Sequence, residues 1–547
     1  MKKLGLIIAI LSLALTAAAV PARRVSKNVR MSDGTTVTVQ LRGDETFHYW
    51  VTSDGTPVLQ QENGDWEVDK RDVRTLHRTR LEERNAVRSI HAPKVQKAMR
   101  SARAPFLSTE IQKKKGLLIL VNFTDKEMAY GVNSYHVFNQ MLNGIGEPFE
   151  KNYGSVREYF RDQSYGKFDI EFDVVGPVTV AHPIRYYGEN DSKGNDKRPH
   201  EMVREACLLV DDKVNFADYD WDGDGEVENI YVTYAGYGEA SGASSYCIWP
   251  HQWFLSGENS ALKLDGVTVD TYACGSELSG AHGTTVEGIG VMCHEYSHCL
   301  GLPDFYDTGD SKNFGMDCWS LMDYGCYNGN CYHPAGYTAY ERWFCDWLEP
   351  VELTDGCFVK DMKELESYPQ AYVIYNDKRR TEYYLLANHQ LAGWDQQAYG
   401  HGLMVLHVDY NQWSWYNNQV NNVTSRQRMT IIPADDNLSM NTLSTDLWPS
   451  RRNKTELTDS STPAATVYNA NVDGTKFMHK PITEISESNG LISFTFKGGG
   501  YYIGVNDVLG SSTAGESAFY DLSGRRVVGQ PQRSGFYIVG GRKVFVK

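Results

Sequence analysis

No cysteine precedes Cys207 and none follows Cys357. All ten fall inside that window. Disulfide staples are therefore excluded from the N-terminal region and from the last third of the chain, and so is an N-terminal thiol that holds an enzyme latent. Without a cysteine near residue 20, a lipid anchor has no attachment point there. Long hydrophobic runs are equally scarce. The best stretch, Leu4 to Leu15, falls short of the roughly 20 apolar residues of a membrane-crossing helix. Positive charge is short as well: 54 Lys and Arg stand against 69 Asp and Glu, a formal net charge of -15. That balance argues against a nucleic-acid partner. No internal repeat is present, so a solenoid array is excluded.

What is present begins with an export signal. Lys2 and Lys3 supply a positive start, the apolar stretch follows, and Ala17-Ala18-Ala19 offers a small-residue cleavage site before Val20. Charge then divides the chain. Val20 to Lys115 carries 19 basic and 12 acidic side chains, whereas Gly116 onward carries 33 and 57. A basic segment ahead of an acidic body suits a propeptide that docks on its own enzyme as inhibitor. Asp33, Asp44 and Asp54 sit at turn signals and are candidate latency groups. Residues 91 to 115 are basic and polar, ending in Lys113-Lys114-Lys115, and read as an exposed linker and processing site.

The 547 residues are too many for one compact core. Thr36 to Val39 and Phe47 to Val51 alternate like strands, separated by Asp-Gly and Asn-Gly turns. Gly116 to Phe123 is a continuous apolar run, the pattern of a central buried strand opening a new domain. A helix is expected near Ser155 to Gln163, and further strands at Phe168 to Val180 and Asn229 to Tyr234. From Val351 to Lys497 the pattern is mostly strands, among them Ala371 to Tyr375, Tyr383 to Leu386 and Leu403 to Val408, as in a β-sandwich. The expected division is residues 1–19 signal peptide, 20–115 propeptide and linker, 116–350 catalytic domain, 351–498 β-sandwich and 499–547 linker and C-terminal sorting domain.

The chemistry concentrates in His294-Glu295-Tyr296-Ser297-His298. On a helix, residues four apart share a face, so both imidazoles reach one zinc ion. Glu295 stands beside them as general base for a water whose pKa zinc lowers toward about 7. Thr284-x-x-Glu287 reads as a capping box that starts this helix, and Gly301 as the left-handed residue that ends it. The chain can then return Asp304 as third ligand; Glu341, on a later helix, is the competing carboxylate. Ser320-Leu321-Met322-Asp323-Tyr324 reads as a tight turn beneath the metal, with Met322 under the histidines and Tyr324 near the zinc as oxyanion stabiliser. Cys293 and Cys299 are read as apolar fillers of a buried helix. Asp220, Asp222, Asp224, Glu226 and Glu228 alternate around Gly225 as in a reduced calcium loop, Glu226 through its carbonyl. Tyr231 stands where a full loop would place its bidentate Glu.

Gly290 to Asp307, Trp319 to Gly325, Gly154 to Phe160, Ala235 to Ala240 and Ile248 to His251 together resemble the immune inhibitor A family of bacterial metalloproteases. The resemblance implies an α/β (α+β), metzincin-like zinc protease domain behind a β-rich propeptide. It also implies a secreted or cell-surface zymogen that hydrolyses internal bonds of extracellular proteins or peptides. By position it assigns zinc to His294, His298 and Asp304, and the base to Glu295. Phe519 to Val527, Gly535 to Val539 and Lys543 to Lys547 resemble the sorting tails of type IX secretion, which implies secretion machinery as a partner. Two other classes compete: a surface adhesin with a structural zinc helix, and a zinc amidase or glycan-processing enzyme on a similar helix. A purely structural site needs no base at Glu295.

Overall fold

The computed structural model describes residues 20–61, 63–85, 111–191 and 194–503, together with the backbone of four later strands. The export signal, most of the linker and parts of the C-terminal tail lie outside the described residues.

A five-stranded antiparallel meander opens the chain: β1 (Ser26–Arg30), β2 (Thr36–Gly43), β3 (His48–Thr52), β4 (Pro57–Gln60) and β5 (Trp66–Val68). Period-two patterning gives it one apolar face, where Val29, Val39, Val58 and Trp66 form a small core. Residues 73–85 are helical.

The central sheet follows. Its order is β7 (Phe168–Thr179), β6 (Gln112–Asn122), β8 (Ile230–Tyr237), β10 (Thr271–Leu278) and β9 (His251–Phe254). All neighbours are parallel except β9, which closes one edge antiparallel. Leu117 to Val121 are wholly buried in β6, as a strand covered on both faces requires. The strand starts earlier than its apolar run suggests. Lys113, Lys114 and Lys115 pair with Asp169, Ile170 and Glu171, so these lysines are sheet residues and not the end of an exposed linker. Helix α1 (Val156–Gln163) begins at a capping box in which Ser155 and Glu158 bond each other's backbone. Helix α2 (Ile289–Cys299) is buried at every position and packs against β10 and α1.

Beyond residue 350 come two further sheets. One has five strands, including Ala371–Tyr375, Glu382–His389 and Gly402–Asp409; the other has four, including Cys357–Met362 and Leu491–Phe496. Tyr372, Ile374, Leu386 and Val405 of the first share a core with Val359, Ile492 and Phe494 of the second. The opposite face of the first sheet, with Val373, Leu385, Met404 and Leu406, belongs to the core that contains α2. That sheet is thus covered twice. The terminal segments form a four-stranded sheet, whose last two strands, Gly535–Val539 and Arg542–Val546, pair as a hairpin.

Candidate metal centre

Helix α2 carries His294 and His298 one turn apart. Its start differs from expectation. Gly288 is the N-cap and provides no side-chain bond. Thr284 and Glu287 make no capping box, because Glu287 donates its N–H to the Glu277 carbonyl in a strand-like approach. The glycines explain the entry: a Cβ on Gly288 would lie 2.3 Å from Cys331 backbone and one on Gly290 2.0 Å from the Cys326 carbonyl. The helix end is as expected, with Gly301 at φ 96°. Leu302 N–H then bonds the Ser297 carbonyl at 3.2 Å, and the chain turns back.

That reversal brings Asp304 to the histidines. His294 Nε2 and His298 Nε2 are 3.1 Å apart. Asp304 Oδ1 lies 3.1 Å from the first and 3.2 Å from the second. Each Nδ1 is committed to a carbonyl, Leu321 at 2.8 Å for His294 and Leu302 at 2.8 Å for His298. A carbonyl only accepts, so each Nδ1 bears a proton and a neutral ring turns the lone pair of Nε2 inward. Asp304 Oδ1 is buried and accepts no hydrogen bond. Three lone-pair atoms thus crowd one buried point, an arrangement that a cation resolves. Zinc ligands about 2.0 Å from a tetrahedral ion stand about 3.3 Å apart, so the donor set fits zinc. Burial lowers the His298 pKa below its ordinary value.

Asp304 is itself held by Asn418. Asn418 Nδ2 donates to Asp304 Oδ2, and Asp304 N–H donates to Asn418 Oδ1 at 2.6 Å. Asn418 adopts φ 54°, where Asn is among the better tolerated residues. No local pattern marks it; the contact spans 114 positions.

Glu341 is withdrawn from the metal. It caps the helix Ala339–Phe344 and accepts from Ser320 Oγ at 2.6 Å and Thr338 N–H at 2.6 Å. It is wholly buried. Ser320 Oγ also accepts Met322 N–H at 3.0 Å, so Glu341 braces the turn under the histidines. Met322 is fully buried in that turn, and its carbonyl accepts Phe305 N–H at 2.8 Å. Tyr324 follows, its ring face under the Arg24 guanidinium at 3.6 Å. Burial pushes its phenol up to about 12, so it stays a proton donor at neutral pH.

Glu295 has a further contact that sequence reading missed. Val20 N–H donates to Glu295 Oε1 at 2.8 Å. The N-terminal segment continues along the cleft: Trp249 Nε1 donates to the Val20 carbonyl at 3.1 Å, Tyr327 hydroxyl to the Pro21 carbonyl at 2.7 Å, and Arg23 N–H to the Ala240 carbonyl at 2.9 Å. Asp33, Asp44 and Asp54 instead accept bonds from their own turns, at Thr35, Thr46 and Thr56.

At the second candidate site, Asp220, Asp222 and Asp224 converge. Their carboxylates also accept loop N–H groups, Asp220 from Gly223 at 2.8 Å and Asp224 from Glu226 at 2.8 Å. Glu228 turns Oε2 onto Trp221 N–H at 2.6 Å, and burial pushes its carboxyl up to about 7. Among the described residues, no helix is long and apolar enough to cross a membrane.

Comparison with known proteins agrees with this geometry. Residues 106–349 match the family model of the immune inhibitor A peptidase M6 catalytic domain. Immune inhibitor A of Bacillus thuringiensis subsp. alesti is 29% identical over 262 residues, covering 40% of this chain and 37% of that protein. The pre-pro-metalloprotease PrtV of Vibrio cholerae serotype O1 is 25% identical over 308 residues, 48% of this chain and 32% of that protein. The chain thus spans about a third of the length of these relatives. The matched segment contains His294, Glu295, His298 and Asp304, and the likeness over it supports a zinc metalloendopeptidase.

Proposed function

We propose that this chain is a secreted or cell-surface zinc metalloendopeptidase, made as a zymogen, that hydrolyses internal peptide bonds of extracellular proteins. The observation that carries the reading is the convergence of His294 Nε2, His298 Nε2 and Asp304 Oδ1 on one buried point beside Glu295. Zinc, when bound, supplies Lewis acidity toward the scissile carbonyl and acidifies water. His294, His298 and Asp304 would hold it, each oriented by a second partner: Leu321, Leu302 and Asn418. Glu295 takes the proton of the attacking water and passes it to the leaving amine. Tyr324, if its phenol swings from beneath Arg24 in the activated chain, donates to the developing oxyanion.

Latency is assigned to the N-terminal segment. Val20 engages Glu295, and Val20 and Ala22 are buried among residues of the cleft, which leaves no room for a substrate there. The name of the Vibrio relative, a pre-pro-metalloprotease, fits such a precursor. We assign Ca2+ a structural place at Asp220, Asp222 and Asp224, with Glu226 and Glu228 adjoining, and the tail at 499–547 a sorting role toward type IX secretion machinery. The first rests on three converging carboxylates, the second on the sequence resemblance alone.

Glu295→Ala in the activated protein tests the mechanism. It should bind one zinc per chain, as metal analysis reads it, and cleave casein about 10²- to 10⁴-fold more slowly. Undiminished cleavage by that variant would sink the assignment.

A further inference from the structure

The path of the N-terminal segment contains specificity information. Glu295 is the group that returns a proton to the leaving amine, on the reading proposed above. A main-chain nitrogen hydrogen-bonded to it therefore stands where the leaving nitrogen stands. Val20 N–H meets that condition at 2.8 Å. Val20 to Arg24 then trace the first five residues on the leaving-group side of a cut.

The main-chain contacts along this path are indifferent to sequence, because they use the carbonyls of Val20 and Pro21 and the N–H of Arg23. The Arg23 side chain reaches Ser279 Oγ at 3.1 Å, Asn330 Oδ1 at 3.4 Å and Glu287 at 3.8 Å without a forked pairing. Arg24 differs. Its guanidinium grips Asp317 with both terminal nitrogens, Nη1 reaching Oδ1 at 3.3 Å and Nη2 pairing with Oδ2. The same guanidinium lies 3.6 Å over the Tyr324 ring. A forked carboxylate above an aromatic platform matches the planar, five-donor shape of arginine and not the point charge of lysine.

The subsite is built into the catalytic half and not shaped by the N-terminal region. Asp317 is buried and takes φ 47°, uncommon for a residue with a Cβ. It is held there by Asp323, whose Oδ2 accepts Met316 N–H at 2.9 Å and Asp317 N–H at 2.9 Å. Asp323 follows Met322 directly, so the carboxylate is tied to the turn beneath the histidines. An adjoining cavity of about 390 Å³ is lined by Arg24, Asp317 and Tyr324 and, from the N-terminal sheet, Gln40, Leu41 and Arg42. Release of the N-terminal region would widen it and leave Asp317 without its cation. Lys312, at the cavity wall, is paired with Asp310.

We propose that Asp317 forms an arginine subsite, filled by Arg24 in the latent chain and by an arginine of the substrate, five residues beyond the cut, in the active enzyme. The inference rests on the protease assignment and names part of its substrate class.

The test uses the full chain after proteolytic activation. A casein-derived peptide with a single cleavage, mapped by mass spectrometry, is synthesised with Arg, Lys or Gln as the fifth residue after the bond. The Arg peptide should show kcat/KM about tenfold above the Gln peptide, with Lys between. Asp317→Asn should bring the Arg-to-Gln ratio close to one. If that variant does not fold, the wild-type ratio still decides. Equal rates for the three peptides overturn the subsite and leave the protease assignment standing. No chelator-sensitive cleavage of casein or of any peptide overturns both.

Discussion

At the scale of single residues, the metal centre separates into a part written locally and a part written far away. His294 and His298 are four apart on one helix, so their convergence needs nothing beyond helical geometry. Asp304 needs only a reversal, and Gly301 supplies it. Asn418 belongs to the other kind. Its amide fixes both Asp304 Oδ2 and Asp304 N–H, leaving Oδ1 for the metal. Removing such an outer partner costs about 10- to 100-fold in metal affinity. Asn418→Ala should therefore weaken zinc binding by about that factor, measured by competition with a chromophoric chelator. An unchanged affinity would show that Asp304 is oriented by α2 and its turn alone. The same division explains why Glu341 was a rival. A carboxylate on a later helix has the right chemistry, and only the Ser320 and Thr338 bonds show that its oxygens are spent on the turn.

At the scale of elements, apolar runs located principal strands such as Gly116 to Phe123, Ala371 to Tyr375 and Leu403 to Val408, and a helix was expected at α1, whose capping box of Ser155 and Glu158 came only with the structure. The start of α2 was not. A capping-box pattern is permissive, and tertiary contact overrides it when Glu287 joins Glu277. The close approach that requires Gly288 and Gly290 is made by residues 326 and 331, which sequence cannot place. The docking of the N-terminal sheet is another such feature. On β3, His48 Nδ1 meets the Asp44 carbonyl at 3.1 Å and Nε2 meets Glu239 Oε1 at 3.0 Å. Its ring stacks on Trp249 at 4.4 Å, and Glu239 is shared with Asn190. Two acceptors demand two N–H groups, so the docked ring is the imidazolium. Burial works to lower its pKa, but the Glu239 charge and hydrogen bond outweigh it and raise it above the ordinary value. A raised folded-state pKa stabilises docking fully below the unfolded value and loses that contribution as pH rises through the folded one. Hydrogen exchange of β3, corrected for intrinsic rates, should quicken as pH rises above the ordinary histidine value of about 6.5, and His48→Gln should flatten the trend. A wild-type profile without a pH trend would remove His48 from the docking energetics.

For the whole molecule, a composition change near residue 350 invites a domain boundary, and the family match also stops at residue 349. Packing crosses that line. The sheet containing Glu382–His389 and Gly402–Asp409 turns Leu385, Met404 and Leu406 into the core that holds α2, and Leu386 and Val405 into the second core. Both strands are buried at every position, which is why they read as unbroken apolar runs instead of alternating ones. Aromatic contacts reinforce the seam, Trp343 with Tyr383 at 5.5 Å and Tyr159 with Trp394 at 4.9 Å between ring centres. Asn418 crosses it as well, so the metal shell itself is completed from the far side. A chain ending at residue 349 would expose the catalytic face of this core and lose the partner of Asp304. It should accumulate as aggregate, or at best bind zinc about 10- to 100-fold more weakly than the full chain. A chain ending at residue 503 retains both sheets, including the strand Tyr501–Ile503 paired with Cys357–Met362, and should stay soluble with full zinc affinity. Light scattering and chelator competition on the two truncations decide the matter. A soluble 349-residue form with undiminished affinity would mean that the shared sheet only adjoins the catalytic unit, whereas loss confined to that form would make residues 351–503 part of the metalloprotease fold.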